Sequence, residues 1–470
     1  MKTFKDARGL PTSGIDTAQL DEFETLLSDL YLYRPGVQNR LEALLANAPD
    51  FVLGYVLRGY SIMTDGLRSG IGQAISFLEK AQRLAPRASA RERLHVQALH
   101  AWVQGRLADR IQALEDILVR WPLDLLAYRQ LTALLFWTGD KARQLAAATQ
   151  AWPHWTPQTP GYHLVLGPMA FALEEAGRFD LAHTYAKQAL HHQPTDLWAL
   201  HALAHVHEMR GEPEAGDQAL SAVAHRLNAF NLFRGHLWWH LALFRLAQGR
   251  DDEVLQLFDQ EVFPAPSAFY LDLQNAASLL ARLEIQGVPV SDRWERVAQA
   301  AEQTLGQHLV VFTSPHQIMA LSRGGRPQAL QTALAGWQLD ANNGMVQAQT
   351  GAAVSAAVAL YYQGDLAAFL PLMRQLRYEA PGLGASHAQN DIYVQLMVDA
   401  ALRLDDLPLA KSLLKERLVN RCMDAAAWQR YQDLAQQIEQ TTEPQALRRL
   451  LRQGLPLASS AHAHVSGLSA

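Results

Sequence analysis

The stretch "GPMAFALEEAGRFDLAHTYAKQALHHQPTD", residues 167–196, decides the fold. It carries Ala170, Gly177, Ala182, Ala189 and Pro194 in a recognisable order. Small residues stand where two helices would touch, a glycine where the chain must turn, and a proline where a second helix must stop. Glycine tolerates the left-handed backbone that ends a helix, and proline lacks the N–H that would extend one. This is the tetratricopeptide pattern. Moving 34 residues on from Gly177 lands on Gly211, and 34 back from Gly139 lands on Gly105. Pro49, Pro86 and Pro122 stand after other second helices.

One helix pair cannot bury its own apolar face, but stacked pairs can, and the stack winds into a superhelix with a concave inner surface. The spacing predicts repeats at about 52–86, 91–122, 125–151, 163–194 and 197–227, with a sixth pair from near Gly235 after the connector HRLNAFNLFRG. Beyond Phe263 the 34-residue period fades while helical patterning persists. "TGAAVSAAVALYYQGDLAAFLPLMRQL" (350–376) and "DIYVQLMVDAALRLDDLPLAKSLLKERL" (391–418) each read as helix, short turn, helix. No run of alternating strand residues stands out. The expected fold is therefore all-α, a tetratricopeptide-repeat α-solenoid with degenerate repeats in the C-terminal half, open or closed on itself. Residues 1–51 read as an N-terminal helical cap, 52–262 as repeats with histidine-rich inner helices, 263–454 as degenerate helical repeats, and 455–470 as a disordered tail holding His462 and His464.

Bulk chemistry narrows the function. The net charge is −5 with no basic block, which argues against nucleic acid as a partner. No stretch approaches 18 uninterrupted apolar residues, so no membrane span is expected. The single cysteine, Cys422, excludes an intramolecular disulfide framework and suits a reducing compartment, read as the cytoplasm. It lacks a partner motif and reads as an inert thiol.

The most unusual helix is "WALHALAHVHEMRG", residues 198–211. With Gly211 at repeat position 15, the inner-face positions 2, 5, 9 and 12 are Trp198, His201, His205 and Glu208. At 100° per residue, His201, His205 and Glu208 share an arc of about 60°. His207 points into the packing between helices. In the next inner helix, "GHLWWHLALFRLAQG" (235–249), His236 and Trp239 take positions 2 and 5, with His240 beside them. His236 and His240 share a face by i, i+4 spacing. Upstream, His95 and Phe171 fall at inner positions. Downstream, His316, His387 and Asp391 sit near helix starts, where an anion or polar ligand is favoured.

These stretches resemble the tetratricopeptide repeat protein 38 family. The resemblance rests on DARGLPTSG, RERLHV, HHQPTDLWALHALAHVHEM, GHLWWHLALF, ARLEIQGVPVSDRW, PHQIMA and GASHAQND, with departures at Thr313, Ser314 and Asn390. It covers most of the chain and implies the same helical-repeat fold. It brings no established biochemical activity with it.

Two functions compete. The first is a binding protein holding a peptide or small polar ligand with Trp198, His201, His205, Glu208, His236, Trp239 and His240, helped by His95, His316, His387 and Asp391. The second is a small-molecule hydrolase or acid–base enzyme, with or without a divalent metal. There His205 or Glu208 is the base, His236 or His240 stabilises developing charge, and His387 and Asp391 orient the substrate. The His-x3-His spacing offers His201 and His205 as metal ligands, with Glu208 as a third. Base rates for repeat arrays favour binding.

Overall fold

The computed structural model describes residues 2–231, 233–343, 345, 347–421, 424–438 and 443–454. Cys422 and the tail histidines His462 and His464 lie outside the described residues. The chain is a stack of helix pairs. The inner helices include Val52–Thr64, Ala90–Val103, Leu125–Trp137, His163–Glu175, Leu197–Arg210 and Arg234–Ala247. The series continues through Tyr270–Ile285, Thr313–Arg323, Ala348–Gln363 and His387–Arg403. Each is followed by an outer helix, as Phe179–His192 follows His163–Glu175.

The decisive stretch folds as its spacing requires. Ala170, Ala182, Ala186 and Ala189 are fully buried between the paired helices. A larger side chain at any of them would have to displace its neighbours, at about 1–3 kcal/mol. The helix Leu197–Arg210 starts on Asp196, whose Oδ1 accepts from the Trp198 and Ala199 N–H groups. It ends on Gly211 in the left-handed region at φ 64°, a conformation costing other residues about 1–2 kcal/mol.

The degeneracy of the later repeats has a simple form. Left-handed turn glycines stand at 105, 139, 177, 211, 249, 287, 325 and 364. From Gly105 to Gly249 the spacing alternates between 34 and 38, and it is 38 or 39 thereafter. The added residues lie partly in longer helices, as in Pro327–Asn342 and Ala348–Gln363, and partly in connectors, as between Arg293–Gln303 and Thr313–Arg323.

The N-terminal segment needs a correction: it is not wholly helical. Thr3–Lys5 and Pro11–Ser13 pair antiparallel, with Phe4 opposite Thr12. Asp6 Oδ1 accepts from the Arg8 and Leu10 N–H groups and shapes the turn. Three-residue strands are too short to display an alternating pattern. The hairpin is fastened to the repeats by Arg91, which donates to the Pro11 carbonyl, and by Glu92, which accepts from the Ser13 N–H. Helices Thr17–Tyr31 and Val37–Asn47 then complete the cap.

The superhelix closes on itself. Leu67 bridges His308, the Arg68 N–H donates to the Gln307 carbonyl, and the Leu309 N–H donates to the Gly66 carbonyl. Arg68 also pairs with Asp340. A second seam joins the turn after Leu125–Trp137 to residues 380–387. A Cβ on Gly384 would lie 2.5 Å from the Trp137 carbonyl oxygen. One hydrophobic core runs from Phe136 and Phe171 through Trp239 to Tyr431. The inner face of the repeats is thereby covered by the C-terminal half. Among the described residues no helix is long and apolar enough to cross a membrane.

Candidate functional site

Repeat registration places His201 and His205 one turn apart on one inner helix, and His236 and His240 one turn apart on the next. The two helices pack side by side, so the four imidazoles meet. The Nε2 of His201 lies 3.0 Å from that of His205 and 3.1 Å from that of His236. One ring nitrogen from each of His201, His205, His236 and His240 falls within 4.8 Å of all the others. Exposure is 2% or less at all four.

Oxygen atoms stand behind three of the rings. His236 Nδ1 is 2.8 Å from Asn275 Oδ1. His240 Nδ1 is 3.3 Å from Glu208 Oε2. His205 Nδ1 is 3.5 Å from Glu174 Oε2 and 3.9 Å from Glu175 Oε1. Glu208, which the sequence offered as a direct ligand, stands behind His240 and pairs its other oxygen with Arg421. The walls are aromatic: Trp239 stacks on His236 at 5.2 Å, Phe171 stacks on His201 at 4.9 Å, and Trp198 lies 5.1 Å from His201.

Electrostatics follow from enclosure. Burial, and then the neighbouring imidazoles, push His201 and His236 well below the ordinary imidazole range. Burial also lowers His205, against the pull of Glu175, and takes His240 down to about 4 despite Glu208. All four rings are therefore neutral near pH 7, with lone pairs available. Burial and the adjacent Glu175 raise the Glu174 carboxyl well above its usual value. Burial disfavours charge on Glu175 and Glu208 too, but Lys141 and His387 outweigh it at Glu175, and Arg421 and His240 outweigh it at Glu208.

The remaining candidates are distributed. His387 lies at the seam, its Nε2 3.0 Å from the Glu175 carbonyl oxygen and 3.2 Å from Lys141 Nζ. Asp391 accepts from Arg417 and Arg421 at 2.7–2.9 Å and so borders the site through the Arg421–Glu208 pair. His316 is separate from the four imidazoles. Its Nδ1 is 2.9 Å from the Phe312 carbonyl oxygen, and burial lowers it to about 4. His95 is also elsewhere, 3.1 Å from Asp124 beneath the N-terminal hairpin. His207 meets Glu212 at 2.8 Å, away from the cluster.

Sequence reasoning missed Glu174, Glu175, Asn275, Lys141 and Arg421. Glu174 was within reach: counted from Gly177, it holds position 12 of its repeat, as Glu208 does in the next. Lys141 and Arg421 arrive across the closure, which no local period encodes.

The fold and site define a tetratricopeptide-type helical-repeat protein with a buried polyhistidine centre. No protein-family model matches the chain. Among solved structures it is similar to the human IFIT1 dimer with PPP-AAAA, at 12% identity and TM-score 0.41, over 94% of this chain and 95% of that one. It is similar to the APC/C hetero-tetramer Cut9-Hcn1 at 12% identity and TM-score 0.33, over 94% and 95%. It is also similar to Naa15/Naa10 bound to HypK-THB, at 15% identity and TM-score 0.25, over 92% and 68%.

Proposed function

We propose that this chain is a helical-repeat binding protein that closes around a small polar ligand seated among His201, His205, His236 and His240. The observation carrying this reading is the enclosure of four neutral imidazoles whose ring nitrogens turn toward one another. Burying polar groups without partners costs roughly 1–3 kcal/mol each. Both ring nitrogens of His240, the Nδ1 of His201 and both carboxylate oxygens of Glu174 have no hydrogen-bond partner among the described residues. A bound polar species offsets that cost.

Closure favours the smaller of the two occupants that the sequence allows. An extended peptide needs an open inner face, and here that face is covered by the C-terminal half. A small ligand needs only the space between two helices. The acid–base enzyme is less favoured, because His205 and His240 are fully enclosed among the described residues. Membership of the tetratricopeptide repeat protein 38 family is part of the same proposal. The stretches carrying that resemblance supply the four histidines and residues 384–391, which begin in the second seam. The net charge of −5 supports a partner other than nucleic acid, and a reducing compartment such as the cytoplasm suits the single cysteine.

The test is mass spectrometry of purified full-length protein under native and denaturing conditions. The expected result is extra mass in the native state that is released on denaturation and absent from a folded His236→Gln variant. Native protein with the polypeptide mass alone, which also takes up nothing when supplied with metal ions or a metabolite extract, overturns the reading.

A further inference from the structure

We infer that the enclosed ligand is a transition-metal ion of the zinc type, held by the imidazole nitrogens of His201, His205, His236 and His240. The inference deepens the binding reading above and rests on it.

The hydrogen-bond arithmetic of the cluster carries the argument. A neutral imidazole has one N–H and one lone pair. His236 Nδ1, His240 Nδ1 and His205 Nδ1 each face an oxygen, from Asn275, Glu208 and the Glu174–Glu175 pair. A proton on each Nδ1, hydrogen-bonded at Asn275 and held by electrostatic attraction alone at the carboxylates, leaves three Nε2 lone pairs. His201 Nε2 lies against two of them, and a single N–H there can satisfy only one. A cation that accepts several lone pairs at once resolves the conflict.

The geometry has the right scale. Zinc–nitrogen bonds of about 2.0–2.1 Å in a tetrahedral shell hold adjacent ligands about 3.3 Å apart. The separations of 3.0 and 3.1 Å are within a few tenths of this value. The oxygens behind the rings are the outer-shell partners that fix tautomer and raise basicity in metal-ligating histidines. Asn275, Glu208 and the Glu174–Glu175 pair supply three such partners from three different inner helices. Imidazole-only donor sets suit zinc, copper, iron and nickel and disfavour magnesium and calcium, which take oxygen. Four protein ligands leave no position for substrate, so this is a closed, structural type of centre. Stacked Trp239 and Phe171 keep water from competing.

The experiment uses full-length protein. Metal content is measured after purification without added metal. Protein stripped with a chelator is then titrated with Zn²⁺ and with Co²⁺, whose visible absorption reports tetrahedral nitrogen coordination. The expected result is one ion per chain, a tetrahedral Co²⁺ spectrum, and loss of both in His201→Gln and His236→Gln. The Asn275→Ala variant keeps all four imidazoles and should bind about 10–100-fold more weakly. A His462→Ala/His464→Ala variant should bind as wild type. Uptake that survives in both His201→Gln and His236→Gln, or wild type that neither holds nor takes up metal, overturns the inference. Native mass in excess of the polypeptide with no metal content would sink the metal and leave the binding reading standing. Absence of both would sink the two together.

Discussion

His201 and His236 stand 35 residues apart in sequence, yet their Nε2 atoms lie 3.1 Å apart. That separation is the 38-residue spacing from Gly211 to Gly249 less three, the step from position 5 of one inner helix to position 2 of the next. The contact is thus a direct product of the repeat, and it sets the first expectation. A cluster held by four side chains from two helices should tie those helices together when filled. Stripping metal with a chelator is expected to lower the melting temperature, and adding Zn²⁺ to restore it. Free ion at a hundred times Kd contributes about 2.7 kcal/mol to stability. Differential scanning calorimetry at fixed pH reads this, and an unchanged transition on both steps counts against a filled centre.

Arg421 neutralises two buried acids at once, Glu208 and Asp391. Replacing it with methionine keeps volume but strands Glu208 in the interior. The expected cost is about 3–5 kcal/mol in urea unfolding. Adding Glu208→Gln to Arg421→Met should recover part of that loss, because the orphaned charge is then gone. A double variant no more stable than the single one would contradict this account.

His308 gives the first seam a pH dependence with a definite sign. Burial alone lowers its imidazole to about 4, and the ring takes its hydrogen bond from or to Thr304 Oγ1 at 3.0 Å. Unfolded, the same ring titrates near about 6.5. Below that value the unfolded chain binds a proton that the folded chain refuses. The stabilisation is therefore complete above about pH 6.5 and is lost as pH falls toward 4. At about 1.4 kcal/mol per pH unit the loss is on the order of 3 kcal/mol. The difference in stability between wild type and His308→Gln, followed from pH 7.5 to 4.5, should show that slope. Parallel curves would refute it.

Two glycines make a matched comparison of strain and fit. Gly177 has φ 73° with nothing within 4 Å of a built Cβ. Gly384 has φ 91°, and its Cβ would lie 2.5 Å from the Trp137 carbonyl oxygen. Gly177→Ala should cost about 1–2 kcal/mol, the left-handed penalty alone. Gly384→Ala should cost more and should loosen the second seam, raising amide exchange in the Trp137 turn and around Ser386. Equal effects in both assays would show that the close approach does not matter.

The fold was legible because its signal is local and repeated. Ala170, Gly177, Ala182 and Pro194 state one repeat, and the glycine spacing states the rest. Half of the candidate site was legible for the same reason: registration put His201, His205 and His236 at inner positions. His95 shared such a position without reaching the cluster, since it lies several repeats away along the stack. Asn275 was hidden because, counted back from Gly287, it falls at position 3, outside the inner-face positions 2, 5, 9 and 12. Lys141 and Arg421 were hidden by distance. The bonds between Arg421 and Glu208 and between Lys141 and His387 span 213 and 246 residues. Charge placement of that kind depends on how far the superhelix turns before it meets itself. The N-terminal hairpin was hidden by brevity, with three residues per strand.

Closure also changes how the chain can come apart. An open array melts from its ends, one unit at a time, because each unit touches only its neighbours. Here Gly66 and Arg68 hold residues 307–309, and Trp137 is pressed against Gly384. No terminus can fray past these points without breaking bonds to the far half. Such long-range pairing is slow to form, so the two seams should be the last structure gained in folding. They also make the middle of the chain, rather than its ends, the place where global unfolding is decided.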